Sequence, residues 1–414
     1  MHRSHLSLLG GIVLANLACA PNWHAEVQAD TRQVARALDD PVDLGPAQFD
    51  PATVPDIRAP HKLRPCCAFG QDLHAKVGPV PVPFYENANV LSPREVGPHG
   101  YDKGDLTREH NGLVYTCRGG FIDIAHIRDH ADRTLYLALE IARALPDGVT
   151  ITMPEEGTLR RVIVKPLPAE LLARHGRWAV ATTLASWAAY QLSVWHEVVT
   201  WYGWESVKGV SEKLSAFSPE DLYSNALGVK LAAGIVLSRE VRTREEYEAA
   251  MTAWITEALR RLEVVEKVDA RAAMQAVDGL WWDASKRLPD WRLVTRRALD
   301  FESPVSGWLV ADAVADGPVA LSLRRTCPKQ PPPLPLQVPQ TLGDAKIAEL
   351  AVVELEFSSW IPEHFPLPIA RGKSVTQADF TAIVADIRQE GAKELGPDFD
   401  QPRAPAAKLA ERQP

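Results

Sequence analysis

The sequence predicts an α+β protein with a predominantly α-helical core, a loop-rich N-terminal part and a few short strands. Three observations carry this reading. Pro and Gly crowd residues 61–125, which breaks up any long periodic element. Apolar residues then recur at helical spacing through most of 168–299. Alternating segments are short and scattered, at 77–84, 112–115, 149–153, 160–165 and 351–357.

From the N-terminus, Arg3 supplies a basic start, Leu6 to Leu17 is nearly all apolar, and Ala18, Cys19 and Ala20 are small. That order reads as a secretory signal over residues 1–20. A run of about twelve apolar residues is too short to span a bilayer. Leu17-Ala18-Cys19 fits the end of a lipobox, with Asn16 departing from the aliphatic preference, whereas cleavage after Ala20 is disfavoured by Pro21. Lipidation of Cys19 is therefore expected, giving a membrane partner through a lipid anchor. The expected location is the periplasm or an anchored position at the outer membrane, and Ala20 after Cys19 favours the latter.

Residues 21–60, rich in Pro, Asp and Ala, read as a flexible tether, and 61–328 as the main globular domain. Within it, helices are expected over 134–145, ended by Pro146-Asp147-Gly148, and over 178–202, ended at Gly203. Another starts at Ser218-Pro219-Glu220-Asp221, with Ser218 as N-cap, and runs through Val236; others cover 244–265 and 269–282. The uncharged stretch from Trp178 to Val194 reads as a buried core helix rather than a membrane span, because Gln191 and His196-Glu197 interrupt it. Pro331-Pro332-Pro333 makes 329–340 an extended linker. A strand and a capped helix follow in a small extension over 341–397, and 398–414 reads as a disordered tail.

Composition narrows the function. The net charge of −8 gives no support to a nucleic-acid partner. Twelve Trp point to an aromatic-rich core. Of five Cys, Cys19 belongs to the leader, which leaves Cys66, Cys67, Cys117 and Cys327 for two disulfides in an oxidising compartment. Vicinal bonding of Cys66 to Cys67 is strained, so one of them is expected to join Cys117 and the other Cys327, with the assignment open.

The chemistry concentrates in two strings. In Trp195-His196-Glu197-Val198-Val199-Thr200-Trp201-Tyr202-Gly203, a His-Glu pair sits among apolar residues, where burial is costly without a task. It is half of the zincin pattern, in which histidines at i and i+4 ligate zinc and the intervening Glu is the general base. Thr200 occupies the second ligand position. Downstream, Glu220 or Asp221 stands near the spacing of an acidic third ligand, with Asn225 one turn beyond. The second string, Gly119 to Thr134, holds His126 and His130 on one helical face, with Asp129 and Arg133 expected to pair on another.

These residues compose a metal site, with zinc the expected ion. His126 and His196 would be ligands, Glu220 or Asp221 the acidic ligand, and Glu197 the general base. Asp129, His130, Thr200, Tyr202 and Asn225 would form the surrounding polar cluster. Two other readings differ in class. One is a non-catalytic protein whose polar cluster is structural or binds a ligand, favoured by Thr200. The other is a Cys-His hydrolase using the Cys66-Cys67 segment and His126. A Gly-x-Ser-x-Gly elbow, phosphate loops, dinucleotide fingerprints and calcium loops are all absent from the sequence.

Four strings together carry a resemblance: Arg-Pro-Cys-Cys-Ala-Phe-Gly at 64–70, Gly-Gly-Phe-Ile-Asp-x-x-His-Ile-Arg-Asp at 119–129, Trp-His-Glu-x-x-Thr-Trp-Tyr-Gly at 195–203 and Ser-Pro-Glu-Asp-Leu-Tyr-Ser-Asn at 218–225. The chain resembles a family of bacterial exported envelope proteins, many regarded as lipoproteins, built on a domain of unknown function, over roughly residues 60 to 330. The resemblance implies a bacterial exported protein and carries no activity with it. Joined to the residue chemistry, it gives the expectation of a metal-dependent hydrolase of the bacterial envelope, acting on a peptide, a peptidoglycan fragment or a lipid ester.

Overall fold

The computed structural model describes residues 28–39, 57–64, 68–77, 80–87, 90–102, 109–206, 211–238, 242–314, 324–329, 331–357 and 374–403. In chain order these contain α1 (Thr31–Asp39), the hairpin β1 (Leu73–Val77) and β2 (Val80–Asn87), the hairpin β3 (Leu113–Thr116) and β4 (Gly120–Asp123), then α2 (Ile124–Ala144). The strands β5 (Val149–Glu156) and β6 (Thr158–Val164) lead into α3 (Ala169–His175), α4 (Arg177–Trp201), α5 (Asp221–Ser238), α6 (Arg244–Arg261) and α7 (Lys267–Ala276). The short α8 (Val310–Ala313), β7 (Thr341–Leu342), β8 (Ala345–Lys346) and α9 (Ile347–Leu350) precede β9 (Ala351–Glu356), β10 (Ser374–Thr376) and α10 (Phe380–Leu395). The class is α+β with helices predominating.

The centre is a three-helix packing in which α2 lies against both α4 and α5. The helices α4 and α5 are apolar on every side and buried along most of their length, as helices inside a core must be. The close approach of α5 to α2 depends on Gly228 of α5: a Cβ there would collide with the Ile127 carbonyl of α2. Among the described residues no helix is long and apolar enough to cross a membrane. Trp195, Trp201, Trp254 and Trp281 are all fully buried, and those whose indole N–H is placed find acceptors, such as Glu156 O for Trp195 and Glu390 Oε2 for Trp201.

One side of α4 is covered by a four-stranded antiparallel sheet of order β10–β9–β6–β5. Its pleat sends Thr158, Arg160, Val162 and Val164 of β6 inward, beside Ala351, Val353 and Leu355 of β9. Arg161 points outward and pairs with Glu354 and Glu356. The segment that the sequence sets apart as a C-terminal extension thus supplies β9 and β10 to the sheet begun by β5 and β6. Within the expected tether, α1 buries Val34, Ala37 and Leu38 against α5 and α6.

Several local expectations are corrected. The helix expected from Thr134 begins ten residues earlier at Ile124, capped by the Asp123 side chain, which accepts from the Ala125 N–H at 2.6 Å. The dense charges of its first three turns hide the apolar period. The helix expected from Ser218 begins at Asp221 instead; the Ser218 hydroxyl donates to the Ser215 carbonyl, and its N–H is held by Asp221 Oδ2 at 2.6 Å. The strand expected over 77–84 is two strands, β1 and β2. The helix expected over 269–282 stops at Ala276, and Trp281 and Trp282 turn into a second apolar cluster with Phe69 and Met274. The expected tail is packed over 398–403: Phe399 is buried, and the Pro402 carbonyl accepts from Trp281 Nε1.

Cys117 is bonded to Cys327. This overturns the expected pattern of Cys66 or Cys67 to each of them; Cys66, Cys67 and Cys19 lie outside the described residues. The bond ties the β3–β4 turn to the chain that follows α8, across 210 residues. A cross-link closing so long a loop restricts the unfolded chain strongly, and reducing it, or substituting Cys117→Ser, is expected to lower stability by about 2–5 kcal/mol. Denaturant unfolding with and without reductant measures this; identical midpoints would show that the bond contributes nothing.

Candidate metal centre

Eight ionic or polar side chains of α2 and its N-cap are buried in succession: Asp123, His126, Arg128, Asp129, His130, Asp132, Arg133 and Thr134. Because α2 is enclosed, each must find a partner from another element. They sort into two groups by direction.

Asp129 and Asp132 face the loops. Arg64 enters here as a fully buried guanidinium: its Nη1 meets Asp129 Oδ1 at 2.7 Å and Asp132 Oδ2 at 3.1 Å, and its Nε meets Glu109 Oε2 at 2.8 Å. His99 Nε2 at 2.9 Å and the Tyr247 hydroxyl at 3.1 Å complete Asp132. Arg128 donates to the carbonyls of Val96, Gly97 and His110, which holds the backbone at these residues against α2. The expected Asp129–Arg133 pairing is therefore corrected, since Asp129 binds Arg64 and Arg133 turns toward Glu156.

His126, His130 and Arg133 face α4 and the sheet. His126 and His130 share a face with ring centroids 6.1 Å apart, and His126 stands 6.1 Å from His196. His196 is oriented by Glu156 at the end of β5, whose Oε1 lies 2.7 Å from its Nδ1, and Glu156 also pairs with Arg160 of β6. With Nδ1 so engaged, Nε2 is the ring nitrogen left for a ligand, an arrangement common behind metal-bound histidine. Burial holds His196 below its ordinary pKa, and burial followed by Arg133 pushes His130 well below it.

Glu197, next along α4, accepts from the Phe217 N–H at 2.9 Å and faces the Asn225 amide at 3.5 Å. This fastens α4 to the turn before α5. Asp221 opens α5 with Oδ1 3.5 Å from His126 Nδ1. Burial first, then the charges of Glu197 and Glu220, pushes the Asp221 carboxyl well up.

His126, His196 and Glu197 each offer a ligand atom within 4.8 Å of the others, all three residues buried. Among the described residues, then, the donor group brings Glu197 in beside the two histidines. Asp221 adjoins this group. Glu220 is buried behind it, with neither carboxylate oxygen hydrogen-bonded to another described residue, and burial followed by Asp123 raises it well above the ordinary carboxyl range. Thr200 does not join the donors, and its buried hydroxyl has no partner among the described residues. Tyr202 leaves the cluster, donating to Asp386 Oδ2 of α10 at 2.8 Å.

A small pocket is lined by His126 and His196 together with His130, Arg133, Asp129, Arg64, Leu63, Ser206 and Glu212. The donor set, two imidazoles and a carboxylate converging within 4.8 Å, is one that a divalent ion such as zinc takes. Asp123, Glu197, Glu220 and Asp221 are all buried nearby, and Arg297 donates to the carbonyls of Leu214, Ala216, Trp291 and Val294.

Sequence reasoning overlooked Glu156, Arg160 and Arg64. Arg160 had a readable signal, being a charge at an inward position of an alternating strand. Glu156 and Arg64 had none, because their partners lie on distant elements.

Residues 54–306, more than half the chain, match the family described as "Protein of unknown function (DUF4056)". The chain belongs to this family. No curated protein and no solved structure matches it. The family span contains the whole site, from Arg64 through Arg297, whereas β9, β10 and α10 lie beyond it.

The Arg64 network makes acid stability testable. Burial opposes charge on Asp132, but His99 and Arg64 overcome it and hold the carboxyl below the usual 3.8. A depressed folded value stabilises above the unfolded value and is lost as pH falls through the folded one. Asp132→Asn is expected to cost about 3–5 kcal/mol at neutral pH, as breaking a buried pair does. It should also flatten the loss of stability on acidification below about pH 4. Urea unfolding across pH checks both, and an unchanged pH slope would remove Asp132 from the acid response.

Proposed function

We propose that this protein is an exported, metal-dependent hydrolase of the bacterial envelope, with His126, His196 and Glu197 holding the metal. The observation that carries the reading is the convergence of three buried donors, of which His126 and His196 line a pocket. Two histidines and one carboxylate make a protein ligand set that leaves positions open for water and substrate, as zinc hydrolases require. When bound, the metal would polarise the scissile carbonyl and acidify its water.

The remaining steps belong to the chain. Glu156 fixes the ring of His196, and Phe217 N–H and Asn225 fix the carboxylate of Glu197. Asp221, beside His126 and with its carboxyl pushed up by burial and then by Glu197, is the group placed to pass a proton to a leaving atom. The roles first expected for Glu197 and Asp221 are thereby exchanged. Export is supported by the leader-like residues 1–20 and by the Cys117–Cys327 disulfide, which suits an oxidising compartment. Anchoring through Cys19 completes the proposal for location, and the substrate bond is an amide or ester.

Elemental mass spectrometry of the purified protein is the test. About one zinc per chain is expected, lost in His126→Ala and in His196→Ala while the helical circular dichroism persists. Glu156→Gln, which removes only the support of His196, should weaken metal affinity by roughly 10–100-fold. Protein prepared without chelator that takes up no zinc, iron or manganese when offered them would sink the hydrolase reading and leave a structural or ligand-binding polar cluster.

A further inference from the structure

Arg133 lines the pocket beside His126 and His196, and its charge is met only at long range. Glu156 is one carboxylate serving three donors: Arg160 through Oε2, and His196 and Arg133 through Oε1. Arg160 is its close partner, and His196 sits at 2.7 Å. Arg133 is left at 3.4 Å from Glu156 and at 3.5 Å from His130 Nδ1, both long for a charged donor. Other acids attract Arg133 from farther off, and each is engaged. Asp129 gives Oδ1 to the Arg64 guanidinium and Oδ2 to the Arg64 N–H, Asp132 binds Arg64, His99 and Tyr247, and Glu197 binds the Phe217 N–H. A buried guanidinium without a close carboxylate is costly, and this one lines the same pocket as His126 and His196.

We propose that Arg133 is the anion-recognition residue of this site, gripping a carboxylate group of the substrate beside the metal. The inference rests on the metal-site reading for its neighbour but not for its own charge argument. A planar carboxylate matches the two-pronged guanidinium and is smaller than a phosphate, which suits so small a pocket. The substrate class narrows to molecules in which the bond to be cut lies close to a free carboxylate, such as the C-terminal end of a peptide. Arg133 would then orient the substrate while the His126, His196 and Glu197 side addresses the bond.

The test is acetate binding to the full-length, zinc-loaded protein by isothermal titration, beside Arg133→Gln and Arg133→Lys, with inorganic phosphate as the comparison. Acetate is expected to bind the wild type more tightly than phosphate does. The affinity should fall at least about tenfold in Arg133→Gln, one charge-assisted contact being worth that much. Arg133→Lys should retain part of it, having charge without the fork. Zinc content should be unchanged in both variants, which separates this site from the metal ligands. Acetate affinity equal in wild type and Arg133→Gln would assign the anion to the metal alone and overturn the proposal, as would no binding by the wild type. Preference for phosphate would overturn the carboxylate assignment. Should the chain take up no metal, the hydrolase reading fails, while Arg133-dependent acetate binding to the metal-free protein would still uphold this one and its absence would end it. If Arg133→Gln does not fold, Arg133→Lys decides by the same comparison.

Discussion

The burial of α2 constrains everything around it. A helix that carries His126, Arg128, Asp129, His130, Asp132 and Arg133 within two turns would ordinarily lie at the surface. Here it is enclosed by α4, α5 and the loops of the N-terminal half. Each charge must be met, because an unpaired buried ion costs several kcal/mol. The fold meets them by drawing in partners from far along the chain: Arg64, His99 and Glu109 from loops, Tyr247 from α6, Glu156 from β5 and Asp221 from α5. The loop-rich N-terminal part is thus ordered around a helix that it neutralises.

The compensation of the α2 carboxylates is closer on one side of the helix than on the other. Around Arg64, every carboxylate oxygen of Asp129 and Asp132 is hydrogen-bonded, which is what a network built for stability looks like. Toward α4 and α5 compensation fails twice. Neither carboxylate oxygen of Glu220 has a hydrogen-bond partner among the described residues, and Glu156 alone serves Arg160, Arg133 and His196. Buried polar groups so short of close partners, beside a pocket lined by His126, His196 and Arg133, point to a ligand rather than to packing.

Much of this arrangement could be read from residues alone, and the parts that could not share a cause. The core helices α4, α5 and α6 were legible because their apolar residues and end signals are local, as with Thr243 capping α6 and Gly203 following α4. That His126 shares a face with His130 follows from helical spacing. The start of α2 was missed because apolar periodicity assumes that charges point to water, and here they point inward. The zincin pattern directed attention to His196 and Glu197, which lie beside His126, but assigned Glu197 its role by analogy. The Phe217 N–H and Asn225, which hold that carboxylate beside the histidines, lie across a turn and a helix.

What the sequence by itself determined, then, is the presence of the core helices, the shared face of His126 and His130, and the setting of His196-Glu197 among apolar residues. Local backbone geometry dictates these, and neighbouring residues suffice to reveal it. Only the tertiary structure decided that Cys117 bonds Cys327, that Arg64 neutralises Asp129 and Asp132, and that Glu156 leaves Arg133 without a close partner. It alone decided, too, that His126 of α2 meets His196 and Glu197 of α4. Those outcomes depend on how helices cross and which strand edge abuts them, set by packing at positions such as Gly228, where the absence of a side chain lets α2 and α5 close together.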